Sequence, residues 1–449
     1  MIEARELERL ENQLNDFDKT TRDAALCELA RWLESGDIAA TSLKDEFNLH
    51  FHTFFSYNAY GWSPARIAWE AKKYGLSVAG IVDFDVLDGM EEFLCAGETI
   101  GIRATTALET RVIVPEYADK VISSPNEPGI GYYMAAGCFR EPATGTQSAQ
   151  ALADMREIAR QRNLQMIDRI NGYLDSVRLD YEADVLPLTP SGNATERHIL
   201  AAYDAKARTV HKDATAGFWA KALEINPAEA EMLVSDTPTL HEKMRSKLMK
   251  FGGVGYAAPT SETFPEIRKV IDMTKGMDAL PTMTWLDGTN PGESDMPALL
   301  GLVESMGTVA LNIIPDRNWN IKNVEDRRIK VENLDKAVAA ARALDLPLCV
   351  GTELNKLGLP FVDNFFAPEL QPYMQDFADG SYFFWGHTVL ARKADMGFAS
   401  DWADANFISR AEKNVFYAEA GRLIGPQACI DWSRLKEASP KEALKMLEK

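Results

Sequence analysis

Residues 47–85 limit the fold of this chain more than any other stretch, because they read as one strand–helix–strand unit. The helix in the middle, Ser63-Pro64-Ala65-Arg66-Ile67-Ala68-Trp69-Glu70-Ala71-Lys72-Lys73-Tyr74-Gly75, is marked at both ends. Ser63 is a capping residue. Pro64 suits a first turn, where its missing N–H costs nothing, and Gly75 can take the left-handed conformation that ends a helix. Before the helix lies Leu49-His50-Phe51-His52-Thr53. After it comes the apolar run Val78-Ala79-Gly80-Ile81-Val82, closed by Asp83-Phe84-Asp85. An apolar run that follows a helix and ends in acids is a buried parallel strand carrying carboxylates at its C-terminal edge. A third strand is predicted over Ile102–Glu109, again ending in an acid.

His50 and His52 stand one residue apart on an extended segment, so their side chains share a face. Two neutral imidazoles so placed can grip one metal ion, or two adjacent ions. The chain has only 6 histidines in 449 residues, so two within three positions is a concentration. The simpler alternative is a pair of chance neighbours bonded to backbone and water. Asp83 and Asp85 also have a simpler alternative, as caps of the next helix. Three successive strands ending in His/His, Asp/Asp and Glu supply what a metal site at the top of a β/α barrel needs, since barrel chemistry sits at that edge.

This order of elements resembles the PHP (polymerase and histidinol phosphatase) family. The resemblance runs from His50 to Glu109 and rests on His50-x-His52, the helix end Lys72–Gly75, Asp83-Phe84-Asp85 and Glu109. It implies a distorted seven-stranded β/α (TIM-like, PHP-type) barrel that binds up to three divalent metals and hydrolyses phosphate esters. The chain departs from the family pattern at three places. Phe84 stands where the family has the middle histidine of Asp-His-Asp. Ile314, in the strand ending Pro315-Asp316-Arg317, stands at the histidine of a later Ala-His-Pro. Glu353 and Asn355 replace the Asp and His of the last motif, Ser-Asp-x-His. The ligand set the resemblance leaves is His50, His52, Glu109 and Glu353, with Asp83 as a further candidate. Such a set suits one or two zinc, manganese or iron ions with a position open to water.

The rest of the chain is organised around that barrel. Residues 1–46 read as an N-terminal helical extension, with Leu7, Leu10, Leu14 and Ala24–Leu33 on amphipathic helices. Residues 47–139 and 280–449 form the barrel. Residues 140–279 form a mostly helical insertion, expected to emerge from the upper face as a lid or substrate-selecting unit, or to serve as an oligomerisation module. Strand–helix alternation returns at Pro281–Gly288, Val309–Pro315 and Leu348–Glu353. Asp83 and Asp287, at strand exits, are the candidate general acid and base, although either can be a helix cap. Arg111 and Arg317 lie just past strand ends. A guanidinium forks onto two oxygens of a phosphate or carboxylate, which makes these two the candidate anion binders; a salt bridge to a neighbour is the alternative. Asn355, in the loop after Glu353, and His198, beside a helix start capped by Asn193 or Thr195, complete the substrate-binding set. His211 and His241 are expected to face solvent. The aromatic segment Tyr382–Thr388 reads as a late strand or a pocket wall, with His387 either a replacement ligand or a packed, hydrogen-bonded residue.

Composition narrows the partners. Hydrophobic residues at 46% and charged residues at 26% describe an ordinary globular chain. A net charge of −19 argues against broad nucleic-acid or anionic-membrane binding, but not against a small anionic substrate, because a bound cation inverts the local sign. Cys27, Cys95, Cys138, Cys349 and Cys429 are far apart and make no Cys-x-x-Cys pair, so they are expected to be reduced, mostly buried thiols of a cytoplasmic protein, one that could form a homo-oligomer. The charged N-terminus lacks a signal-peptide core, and no apolar run reaches membrane-spanning length. The leading expectation is a metal-dependent hydrolase, a phosphoesterase acting on a small anionic substrate through a metal-bound hydroxide. The alternatives are a non-catalytic metal- or metabolite-binding protein on a degenerate PHP barrel, and a hydrolase of a C–N or carboxylic ester bond.

Overall fold

The computed structural model describes residues 4–260 and 262–448. Seven strands form one sheet in sequence order: β1 (Lys44–Phe51), β2 (Leu76–Phe84), β3 (Ala104–Ile113), β4 (Ile130–Ala136), β5 (Leu280–Trp285), β6 (Ala310–Ile313) and β7 (Leu348–Val350). β1, β2 and β3 are parallel, as are β5, β6 and β7. The sheet curls until its edges meet. Phe51 bridges Glu353, and the His52 N–H donates to the Glu353 carbonyl at 2.8 Å. The result is a nearly closed α/β barrel. The helix after β1 begins and ends at the marked residues: the Ser63 hydroxyl accepts the Arg66 N–H, and Gly75 ends it at φ 89°.

β4 departs from a regular β/α alternation, pairing antiparallel with both β3 and β5. The link from β3 holds only a short 3₁₀ turn, Pro115–Tyr117, where parallel pairing would need a crossover, usually a helix. The chain therefore folds back and leaves β4 at the lower, N-terminal end of the parallel strands. The insertion thus starts at the barrel's lower end and not at its upper face. The helix Gln147–Leu174 carries it upward; 28 residues span about 42 Å, longer than any strand here. Along that helix Arg156 meets Asp88 at 3.0 Å, and Arg162 comes within 3.7 Å of Asp85, both just past the top of β2. Further helices, Glu196–His211, Thr215–Leu223, Pro227–Ser235 and Thr237–Leu248, close on an apolar cluster of their own that includes Ile170, Tyr203, Trp219 and Leu248. The helix Ile267–Lys275 then returns the chain to β5.

The segment around His387 is helical, part of Met374–Ala394. This helix lies across the lower end of the barrel. Thr388 Oγ1 bonds Thr105 Oγ1 at 2.9 Å, and His387 Nε2 bonds the Gly137 carbonyl at 3.1 Å. His387 is therefore a packed residue at the end opposite the candidate ligands and cannot replace one of them. The helix Lys19–Glu34 is tied to the barrel by Arg22, whose guanidinium forks onto Glu92 at 2.9 and 2.5 Å in a buried pair. Cys138 and Cys349 are buried, but Cys27, Cys95 and Cys429 are exposed, against the expectation of mostly buried thiols. Among the described residues no helix is long and apolar enough to cross a membrane.

Candidate functional site

Three side chains from two strands converge near the upper end of the barrel. His50 lies near the end of β1, His52 just past it, and Glu109 on β3. Each imidazole Nε2 lies 3.7 Å from Glu109 Oε2. Both histidines are fully buried and Glu109 is 3% exposed. Neither Nε2 has a hydrogen-bond partner. Buried polar atoms are nearly always paired, so two unpaired nitrogens aimed at one carboxylate call for an occupant.

The other ring nitrogens show which lone pairs are free. His52 Nδ1 lies 3.1 Å from Ser56 Oγ, and Ser56 donates its only hydroxyl proton to Asp83 Oδ1 at 2.5 Å. Ser56 must therefore accept from His52, which places the imidazole proton on Nδ1 and leaves Nε2 as a lone pair. His50 repeats the arrangement. Its Nδ1 lies 3.3 Å from Asn312 Oδ1, and the Asn312 amide donates to Thr284 Oγ1 at 3.3 Å. Metal-ligating histidines commonly commit their second nitrogen in this way. Two imidazole lone pairs and one carboxylate are donors for one divalent transition ion, with a position left open. Among the described residues this is the one group of three such donors.

Electrostatics separate the two rings, favouring the neutral form of His52 and the protonated form of His50 beside Glu109. Burial, and then the charge of His50, hold His52 well below its usual pKa. Burial also opposes charge on His50, but Glu109 outweighs it and the net shift is upward. Burial raises Glu109, against the pull of His50. Phe84 stacks on His52 with ring centroids 4.5 Å apart, so it covers the imidazole and offers no donor.

The other candidates are placed differently. Glu353 enters near the donors, in the loop after β7, but stands outside the converging group. Its carboxylate meets Arg317 at 3.1 and 3.3 Å. Burial would raise Glu353, but Arg317 overcomes it and the net shift is downward. Asp83 does not face the cavity. It accepts the Thr53 N–H at 2.9 Å and the Thr53 and Ser56 hydroxyls, and so holds His52 from behind. Asp287 accepts the Thr289 N–H at 3.0 Å within a loop, pairs with Lys330 at 2.8 Å and does not line the cavity beside the donors. His198 is 4% exposed, takes the Thr195 N–H on Nδ1 at 3.1 Å and packs edge-on against Tyr57; it is a capping residue and not a substrate ligand. His241 lies 3.4 Å from Asp204, and His211 stacks on Phe218, so neither is simply solvated.

Of the three donors, Glu109 lines a cavity of about 460 Å³, shared with Glu353, Arg317, Asn355, Arg111 and insertion residues. Seven lysine and arginine side chains line it against six acids, in a chain whose net charge is −19. Arg111 packs over Phe264, meets Glu127 at 3.2 Å and approaches Glu196 at 3.7 Å. Arg162, Glu196, Arg245 and Lys250 come from the insertion and carried no local signal, since their helices look like solvated amphipathic faces in sequence. A larger cleft of about 580 Å³ near Phe139 and Arg392 lies away from the donors.

No protein-family model and no curated protein matches the sequence. Among solved structures, the chain is similar to a protein from Bifidobacterium adolescentis provisionally assigned as a metal-dependent phosphoesterase. That match has 16% identity and a TM-score of 0.48, covering 73% of this chain and 95% of the other. It is also similar to an amidohydrolase from Chromobacterium violaceum with bound sulfate and no metal, at 14% identity and a TM-score of 0.49, covering 75% and 96%.

Proposed function

We propose that this protein is a metal-dependent hydrolase acting on a small anionic substrate, most specifically on a phosphate ester. The observation that carries the reading is the convergence of two buried, unpartnered imidazole nitrogens on Glu109 at the open, cation-lined end of the barrel. His50, His52 and Glu109 would hold one divalent ion. When bound, that ion would lower the pKa of water and polarise a substrate oxygen.

The chain's own residues supply the remainder. Ser56 and Asp83 keep the His52 proton on Nδ1, and Asn312 does the same for His50. Arg317, on the cavity wall, offers a planar fork to a phosphoryl group. Glu353, ionised beside Arg317 and close enough to bias His50, would accept a hydrogen bond from a water and orient it, its lowered pKa making it a weak base. Asn355 can donate to a substrate oxygen from the same rim.

A non-catalytic binding protein is favoured by one observation, that among the described residues there is a single donor group, with Phe84 stacked where the family resemblance places a further histidine. The experiment that separates the two is metal analysis of purified protein beside a His50→Ala/His52→Ala variant, followed by turnover assays on phosphate monoesters, diesters and amides. Stoichiometric metal lost in the variant, with turnover of phosphate esters, is the expected result. Metal binding without turnover of any class would leave the binding-protein reading. Turnover of amides alone would move the activity to C–N bonds.

A further inference from the structure

The cavity has a second charged wall that the metal donors do not use. Glu109 and Arg111 are two residues apart on β3, so their side chains share a face with Cα atoms about 7 Å apart. From the insertion, Arg245 and Lys250 reach the same wall. All three cations gather on one carboxylate, Glu196, at the first turn of the helix Glu196–His211. Arg245 Nε lies at 2.9 Å, Lys250 Nζ at 3.0 Å and Arg111 Nη2 at 3.7 Å. These cations lower Glu196 well below the usual range despite its burial.

Arg111 has a second carboxylate, Glu127 at 3.2 Å, whereas among the described residues Arg245 and Lys250 pair with Glu196 alone, and one carboxylate cannot satisfy both in full. Arg245 spends only Nε on Glu196, and among the described residues neither of its terminal nitrogens has a hydrogen-bond partner, although Arg245 lines the cavity. A guanidinium with a free outer edge facing a cavity is a bidentate donor waiting for an oxyanion. The wall is also half barrel and half insertion, which gives the insertion a chemical role in addition to its own packing.

We propose that Arg111, Arg245 and Lys250 form an anion-binding subsite separate from the metal donors, so that the substrate is a small molecule carrying a second oxyanion group remote from the bond that is cut. The substrate class rests on the hydrolase reading, but the subsite does not. Glu196 sets the subsite's affinity: its charge holds the three cations together without a ligand and competes with any anion that enters.

The test is calorimetric titration of inorganic phosphate into EDTA-stripped full-length protein at constant ionic strength. Phosphate is expected to bind wild type and the His50→Ala/His52→Ala variant equally, since neither holds metal. Arg245→Gln is expected to weaken binding by about tenfold or more, and Glu196→Gln to tighten it by about tenfold, because an internal anion is removed. Folding of each variant is checked by circular dichroism; should Arg245→Gln fail to fold, the opposite-signed Glu196→Gln decides. Absence of phosphate binding in both metal-free proteins, or affinities unchanged by both substitutions, would overturn the subsite. Absence of bound metal from the wild-type protein in the separate metal analysis would overturn the hydrolase reading and leave the subsite standing.

Discussion

Stripping and restoring the ion should change the stability of this protein by an amount the site itself suggests. In the metal-free protein two buried Nε2 atoms have no partner. An unsatisfied buried polar atom costs about 1–3 kcal/mol, so the pair burdens the fold by roughly 2–6 kcal/mol that an ion would relieve. The observable gain follows mass action. At a free-ion concentration about 100 times Kd, the native state gains about 2.7 kcal/mol. If the 449 residues unfold as one unit, an unfolding entropy of about 2.1 cal/mol/K per residue gives roughly 0.9 kcal/mol/K, and Tm rises by about 3 °C. If the barrel unfolds separately from the insertion, its smaller entropy turns the same gain into about 4–5 °C. The assay is thermal unfolding of EDTA-treated protein titrated with zinc, manganese or ferrous ion, run beside His50→Ala/His52→Ala. The variant should show no saturable rise. A rise of equal size in wild type and variant, or none in either at millimolar ion, would refute the assignment of the ion to these histidines.

Four further expectations follow from particular contacts. Ser56→Ala removes the acceptor that holds the His52 proton on Nδ1, so metal affinity measured by calorimetry should fall by about 10–100-fold while the fold persists. Gly351→Ala would put a Cβ inside contact distance of His50 Cβ and Asn48 Oδ1, so denaturant titration should show a loss of about 1–3 kcal/mol together with weaker metal binding. Arg22→Met strands Glu92 as a buried, unpaired charge and should cost about 3–5 kcal/mol by chemical denaturation; an effect below about 1 kcal/mol would mean the N-terminal helices contribute little to the barrel's stability. His387 is buried as the neutral ring, and burial lowers its pKa to about 4. The unfolded chain therefore binds a proton below about pH 6.5 that the native state refuses until about pH 4. Stability is fully present above pH 6.5 and lost as pH falls through that window, by up to about 3 kcal/mol, and a His387→Gln variant should lack this contribution in denaturation curves recorded between pH 7 and 4.

Local pattern carries far in this chain. Ser63, Pro64 and Gly75 mark a helix because capping and left-handed termination are properties of single residues, and the structure ends that helix where they stand. The alternation of His50 and His52 puts both rings on one face for the same reason: strand geometry has a period of two. Pairing is different. Nothing in Ile130–Ala136 says that it runs antiparallel to both neighbours, because direction depends on how the preceding link turns. That one reversal sends the insertion out at the lower end and makes a 28-residue helix necessary to bring its residues back to the site. The helical state of Tyr382–Thr388 was hidden as well, since a helix buried beneath the barrel is apolar on most sides and shows no clean period.

Site roles divide along the same line. The amino-acid sequence by itself determined the strand–helix–strand unit and put the candidate donors His50, His52 and Glu109 at strand ends, because these depend on periodicity, while the barrel class followed from the family resemblance. Only the tertiary structure decided that Asp83 holds His52 through Ser56, that Glu353 answers to Arg317, that Asp287 pairs with Lys330 and that His198 is a cap. It also decided that Arg245, Lys250 and Glu196 share a wall with Arg111. A carboxylate or a cation is defined by whichever neighbour reaches it first, and those neighbours lie tens to hundreds of residues away in the chain, beyond the reach of any local pattern.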